Sequence, residues 1–387
     1  MGKELIYHIG TFKTGSTSLQ TFLDHNREEL LKAGIFYPEC LLEEGRPKVV
    51  NGNNGNAYPL NVPEIDSLKF RKGLENLKEL FSKYNKILIS SEDFWSSETK
   101  QERLRELKEI GVTVKVIVYL RRQDEYLDSL CNQLIKTGLL SFEKGQSHIY
   151  ELGLYTDYYK ELSDIKDVIG KENIAVRIFE KEQFYRGNIF DDFLKCLGIE
   201  RTEFFVSPEK TLNRSLSNKH RELMNICNST LGNCYREIDL FMSAAVLGAS
   251  EIYLSQKGGK EKSNFFTEQE RRSIIEKYQK GNECIAKEYL QRENGILFHD
   301  TYFKENEIEE EEIEIEDIIR WVTLLVYKQN TRIDMDRINY EAEIRSLKQE
   351  LQIERKRNNE FQQLVDAIKN GYSLRKIRKK FKEKQQE

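Results

Sequence analysis

A lysine lies inside a loop of small and polar residues near the start of the chain, in the segment Gly10-Thr11-Phe12-Lys13-Thr14-Gly15-Ser16-Thr17-Ser18. The apolar run Leu5–Ile9 precedes this loop, and apolar residues at helical spacing follow it. A strand that leads through such a loop into a helix points backbone N–H groups and the positive end of the helix dipole at an anion. Gly15 permits a tight turn, the following hydroxyls can donate hydrogen bonds, and Lys13 adds a positive charge. The segment therefore predicts an anion-binding site.

This loop differs from the Walker A motif in the position of its lysine. Gly10 and Gly15 have the Walker spacing, but Ser16 stands where that motif has its lysine, and the lysine lies inside the loop instead. A P-loop kinase or NTPase would need a lysine at position 16, followed by a hydroxyl that binds magnesium. A P-loop kinase or NTPase is therefore the alternative hypothesis for the enzyme class.

A second anion-binding pair follows the apolar run Val112–Leu120, which ends at Arg121. Ser129 comes eight residues later, in a helix predicted to begin near Asp124. An arginine at the carboxyl end of a strand faces the crevice in which open α/β sheets bind ligands, and its fork grips phosphate oxygens bidentately. Arg121 and Ser129 are therefore predicted to bind a second phosphate, whereas Arg122 is read as a solvated or substrate-side charge.

Both segments resemble nucleotide motifs of one family. HIGTFKTGSTSLQ closely resembles the 5′-phosphosulfate loop of PAPS-dependent sulfotransferases, specifically the bacterial carbohydrate-type members, and VIVYLRRQDEYLDSL resembles the second nucleotide motif of that family. The resemblance implies that Lys13 contacts the bridging oxygen of the donor PAPS (3′-phosphoadenosine 5′-phosphosulfate). It also implies that Arg121 and Ser129 bind the 3′-phosphate, and that the 5′-phosphate is held by Thr14, Gly15, Ser16, Thr17 and Ser18.

The implied reaction is metal-free sulfuryl transfer from PAPS to a hydroxyl of a carbohydrate-type acceptor. The resemblance covers roughly residues 1–220. The GxxGxxK segment with which cytosolic members close over the nucleotide is missing from this sequence. Arg214, Ser215 or Lys219 lies at about the right place to replace it.

Sulfuryl transfer needs a group that takes the acceptor's proton and a positive group that stabilises the leaving oxygen. The run Lys86–Ser90 is followed by Ser91-Glu92-Asp93-Phe94-Trp95. In the cytosolic branch of the family a histidine stands at the end of this strand, and in the Golgi carbohydrate branch a glutamate acts as the base. Glu92 is therefore the candidate base, with Lys13 as the positive group. Burial beside the two aromatic residues is expected to raise the pKa of Glu92. The alternative is that Glu92 caps a helix or pairs with Lys13, and His8 is assigned a structural role.

Four apolar runs predict the strands that carry these residues: Leu5–Ile9, Lys86–Ser90, Val112–Leu120 and Ile174–Phe179. They alternate with helical patterns at Thr17–Ala33, Leu68–Tyr84, Gln101–Gly111, Asp124–Thr137, Tyr155–Ile169 and Phe190–Leu197, and residues 212–295 are mainly helical. Strands that alternate with helices indicate an α/β fold with a P-loop-like parallel sheet flanked by helices. We assign residues 1–305 to one sulfotransferase domain.

Composition narrows the class of protein. The 387 residues carry 61 basic and 65 acidic side chains, a net charge of −4, which argues against a nucleic-acid-binding protein. Six cysteines without a CxxC pair argue against a zinc site or a disulfide framework. We also find no signal peptide and no run of about 18 apolar residues. The expected location is cytoplasmic.

The C-terminal part has a different pattern. Residues 306–332 are acidic and then apolar, which predicts a connecting helix, and residues 333–371 have heptad spacing typical of a coiled coil. Residues 372–387 form a basic tail with an apolar stripe. The heptads predict either a homodimer or a helix packed on its own domain. The tail predicts either peripheral contact with the inner face of an anionic membrane or a solvated end. A non-catalytic coiled-coil scaffold is the third functional class.

Overall fold

A parallel β-sheet lies at the centre of the larger part of the molecule in a computed structural model. The structure describes residues 2–11, 14–42, 55–61, 67–136, 155–208, 216–231, 239–256, 265–299 and 313–327, together with scattered positions between 330 and 362. Contacts along the chain divide it into two units, residues 1–318 and residues 319–387.

Within the described residues, four strands form one sheet: β1 (Glu4–Ile9), β2 (Lys86–Ser91), β3 (Thr113–Leu120) and β4 (Ile174–Ile178). All neighbours are parallel and the order is β2-β1-β3-β4. Each predicted strand is confirmed to within one residue at either end. Because β1 lies between β2 and β3, the loop that follows β1 has the carboxyl ends of two strands beside it. A parallel bridge from Phe36 to Ile87 extends the pairing beyond β2.

Helices flank the sheet, and the α/β class predicted from the sequence is confirmed. Their bounds are α1 Ser16–His25, α2 Arg27–Lys32, α3 Leu68–Lys83, α4 Lys100–Glu109, α5 Gln123–Lys136, α6 Tyr158–Ile169, α7 Ile189–Cys196, α8 Asn218–Leu231, α9 Asp239–Gln256 and α10 Glu268–Leu290. Short 3-10 turns lie at Tyr58–Asn61, Lys171–Asn173, Lys181–Gln183 and Tyr185–Gly187. Residues 315–327 are also helical. No described helix is both long enough and apolar enough to cross a bilayer.

The single helix predicted over Thr17–Ala33 is wrong, because the chain breaks at Asn26 into α1 and α2. The Asn26 amide donates to the carbonyl oxygens of Phe22 (2.7 Å) and Val206 (2.8 Å) and accepts from the Val206 N–H (2.8 Å). An asparagine side chain that bonds to backbone groups competes with the helical hydrogen bonds. The break therefore depends on a residue 180 positions away, which helical spacing does not reveal.

Both faces of the sheet are buried, as parallel sheets require. Alternate residues of β1 belong to two different apolar clusters. Leu5, Tyr7 and Ile9 pack with α3, α4 and α6 on one face, and Ile6 packs with α1, α2 and α7 on the other. This two-sided core fixes the strand ends that carry the candidate site.

Several predicted features lie outside the described residues: Lys13, Arg214 and Ser215, most of the acidic stretch and of the heptad region, and the basic tail.

Candidate functional site

The loop after β1 is hydrogen-bonded to both neighbouring strands. The Gly10 N–H donates to the Ser91 carbonyl at the end of β2 (3.2 Å), and the Thr11 hydroxyl donates to the Tyr119 carbonyl in β3 (2.8 Å). The Thr14 hydroxyl donates back to the Thr11 carbonyl (2.7 Å), so it closes the loop on itself. Lys13 lies in the short stretch of this loop outside the described residues.

Gly15 makes the turn from the loop into α1. Its φ of 76° is left-handed, a conformation that favours glycine, and it stands at the N-cap of the helix. The helix has no side-chain cap there. The first N–H groups of any helix lack partners within the helix, so those of Ser16, Thr17 and Ser18 point out of its N-terminus. This arrangement can bind an anion through backbone donors and the helix dipole.

Glu92, one residue beyond β2, lies directly against this turn. Its carboxylate accepts a hydrogen bond from the Ser16 hydroxyl. A Cβ added at Gly10 would stand 3.1 Å from the Ser16 Cβ and 3.2 Å from the Glu92 Cγ, so glycine lets the strand end approach both side chains without crowding. Glu92 is half-buried, and Phe94 and Trp95 beyond it are fully buried. The structure therefore brings the predicted base beside the predicted anion loop.

Arg121 and Ser129, the second predicted pair, are in direct contact. The Arg121 Nη1 donates to the Ser129 hydroxyl (2.8 Å), and its Nε donates to the Glu125 carboxylate (3.0 Å). The backbone of Arg121 is fixed as well, because the Tyr158 hydroxyl donates to its carbonyl oxygen (2.8 Å). Burial raises the pKa of Tyr158 well above its ordinary value, so this donor stays protonated.

Phe179 lies between the two segments predicted to bind anions, and it was not recognised from the sequence. It follows β4, and its N–H donates to the Leu120 carbonyl at the end of β3 (2.7 Å). Its ring lies 5.9 Å from the Arg121 guanidinium carbon and 3.1 Å from a Cβ built on Gly15. The sequence interpretation placed Phe179 inside the strand. Its position at a strand end, at the edge where the other site residues lie, was the signal available.

His8 is buried in the core, which fits the structural role assigned to it from the sequence. Its Nδ1 is hydrogen-bonded to the Ser90 hydroxyl (2.9 Å), and its ring packs edge-on against Phe193. Burial lowers its pKa from 6.5 to about 4, so the imidazole is neutral near pH 7. His8 thus stands beneath the loop as an uncharged part of the core.

Two other cations that the sequence placed near the site are bound elsewhere. Arg122 is buried rather than solvated, and its guanidinium forms a bidentate pair with Asp124 (2.7 and 2.9 Å). Lys219, one of the three residues considered as a nucleotide contact, forms a buried ion pair with Asp317 (2.5 Å). Within the described part of the chain, no cluster of three or more His, Cys, Asp or Glu residues could hold a metal ion.

Comparisons with known proteins give little beyond this geometry. No protein-family model matches the sequence. An uncharacterized protein of Archaeoglobus fulgidus is 27% identical over 237 residues, which cover 59% of this chain and 61% of that relative. A solved structure of a sulfotransferase from Alicyclobacillus acidocaldarius aligns over 59% of this chain and 94% of its own, with 15% identity and a TM-score of 0.34. A likeness this slight does not identify the reaction.

Proposed function

We propose that this chain is a sulfotransferase that moves a sulfuryl group from PAPS to a hydroxyl of a carbohydrate-type acceptor. One observation carries the proposal. Two separate groups that are suited to binding anions, the uncapped start of α1 and the Arg121–Ser129 pair, lie at the ends of adjacent strands on either side of the Phe179 ring. Two such groups suit a ligand with two separated phosphates, as in the product PAP (3′-phosphoadenosine 5′-phosphate).

In this proposal, different residues bind the two phosphates of the donor. The N–H groups at the start of α1 bind the 5′-phosphate, and the guanidinium of Arg121 with the Ser129 hydroxyl binds the 3′-phosphate. Thr14 takes part through its main chain, because its hydroxyl already donates to Thr11. Because Gly15 has no Cβ, the Phe179 ring can lie close to the turn.

Glu92 serves as the base. Its carboxylate takes the proton of the acceptor hydroxyl while that oxygen forms its bond to sulfur. The bond between sulfur and the 5′-phosphate oxygen breaks at the same time, and the electron pair stays on the phosphate. The helix N-terminus and Lys13 stabilise that growing negative charge. Because the Ser16 hydroxyl holds Glu92 beside the loop, the base stands next to the phosphate from which sulfur departs.

Calorimetric titration of the full chain with PAP, and separately with ATP and Mg²⁺, tests this proposal. We expect PAP to bind without magnesium and more tightly than ATP. The reason is that ATP has no 3′-phosphate for Arg121 and Ser129 to bind. Tighter binding of Mg²⁺–ATP would instead support the kinase or NTPase class. No binding of either nucleotide would support a non-catalytic scaffold, and both of these results would refute the proposal.

A further inference from the structure

Helix α5 presents two adjoining faces to two different partners. Glu125 and Ser129, four residues apart, accept from the Arg121 guanidinium. Asp124 and Asp128 each stand one position earlier, and both accept from Arg271 of α10, at 3.0 Å in each case. One residue turns the helix by about 100°, so the face held by α10 lies next to the face that meets Arg121.

The contact between α5 and α10 is buried and charged. The Asp124 side chain is 0% exposed, and those of Asp128 and Arg271 are 12% and 13% exposed. Asp124 also accepts both bonds from Arg122, and Asp128 accepts from the Phe265 N–H. Ion pairs of this kind are costly to break on one side, because the remaining charge stays buried without its partner.

A second polar contact fixes the same two helices further along α10. The Gln123 amide donates to the Asn282 side-chain oxygen (2.7 Å), and the Asn282 amide donates back to the Gln123 oxygen (3.1 Å). Both residues are buried. Arg271 and Asn282 are eleven residues apart, about 16 Å along the helix. Two attachments at this separation fix the rotation of α5 as well as its position.

We propose that Arg271 is a positioning residue for the donor nucleotide, which it orients through α5 without touching it. This inference rests on the proposed function, because the ligand of Arg121 and Ser129 is taken to be the 3′-phosphate. Loss of the Arg271 charge would let α5 rotate and shift Ser129. It would also remove the arginine that is hydrogen-bonded to the Asp128 carboxylate, one residue from Ser129, and so leave more negative charge near an incoming phosphate. Both effects oppose donor binding and leave the acceptor side unchanged.

The test compares two neighbouring arginines of α10. Arg271→Gln removes the buried contact, and Arg272→Gln is the matched control, since the Arg272 side chain is 55% exposed and pairs with Glu268 on the surface. Calorimetric titration of each full-length variant with PAP should show a Kd raised roughly tenfold for Arg271→Gln, since a buried ion pair is broken on one side. The Kd of the Arg272→Gln protein should stay within about twofold of wild type, as expected of a surface pair.

Kinetics and rescue separate positioning from general damage to the fold. We expect KM for PAPS to rise in Arg271→Gln while kcat and KM for the acceptor stay at wild-type values. Adding Asp128→Asn removes this excess negative charge and should restore part of the PAP affinity. Arg271→Lys, which keeps the charge but reaches one carboxylate, should give an intermediate Kd.

Two results would overturn the inference. One is a wild-type PAP affinity in Arg271→Gln, and the other is an equal loss of kcat and of affinity for both substrates that Asp128→Asn does not repair. If the wild-type chain itself does not bind PAP, the proposed function fails, and the ligand named here fails with it.

Discussion

Replacing Gly15 with alanine should weaken donor binding as well as the fold, whereas the same change at a glycine away from the site should weaken the fold alone. The left-handed backbone at Gly15 would disfavour any Cβ by about 1 kcal/mol. The added carbon would also stand 3.1 Å from both the Phe179 ring and the Ile189 side chain, closer than ordinary contact. The ring must therefore move, and with it the surface against which the Arg121 guanidinium rests.

Gly34 supplies the matched control. Its φ of 84° carries the same backbone penalty, but a Cβ at Gly34 would meet no atom within 4 Å. Each variant should lose about 1 kcal/mol of unfolding free energy from the backbone alone. For a domain of this size that loss lowers the melting temperature by about 2 °C. Any further effect of Gly15→Ala comes from the contact with Phe179 and Ile189.

The assay is calorimetric titration with PAP, with thermal unfolding of the same samples. We expect Gly15→Ala to raise the Kd for PAP about tenfold, which corresponds to about 1.4 kcal/mol. Gly34→Ala should keep the wild-type Kd. If both variants bind PAP as the wild-type protein does, the turn and the Phe179 ring do not shape the donor site, and the reasoning is refuted.

Three further predictions concern the base, the buried histidine and the C-terminal part. Glu92→Gln should lower kcat by roughly 10²- to 10⁴-fold with an unchanged Kd for PAP, measured by sulfate transfer and calorimetry, and unaltered turnover would exclude Glu92 as the base. His8→Asn should flatten the pH dependence of stability in acid. The folded pKa of His8 is about 4, so the unfolded state binds the proton first as pH falls below 6.5, and the wild-type protein loses up to about 3 kcal/mol between pH 6.5 and 4. Urea unfolding at several pH values checks this, and parallel curves for the two proteins would contradict it. Deletion of residues 329–387 should lower the number of chains per particle, measured by light scattering, because the heptads are predicted to associate. An unchanged number of chains would exclude that role for the heptads.

The strands and the meeting of the site residues were predictable from the sequence for one reason. Buried parallel strands form continuous apolar runs, and their carboxyl ends meet at one edge of the sheet. Glu92, the loop after β1 and Arg121 each follow such a run, so their common edge follows from order along the chain. Gly15 could likewise be recognised, because a left-handed turn requires little beyond the residue itself.

The remaining features depend on contacts between distant parts of the chain. The break at Asn26 requires Val206, and the burial of Arg122 depends on its pair with Asp124, which Arg271 in turn holds from 147 residues away. The sequence alone does not distinguish whether the Arg122 side chain is solvated, faces the substrate or is buried. Arg271 lies in a region where the family resemblance fades, and only the three-dimensional arrangement connects it to α5.

The amide pair between Gln123 and Asn282 has a consequence for truncation and folding. Its partners are 159 residues apart, so this contact between α5 and α10 requires closure of a long loop, which slows folding relative to local contacts. A fragment that ends near residue 220 would contain every recognisable motif. It would still lack α10, the helix that contacts α5 and thereby the segment from Arg121 to Ser129. The shortest fragment worth expressing therefore extends through Leu290, where α10 ends, and a nascent chain can form both contacts between α5 and α10 only after Asn282 has been synthesised.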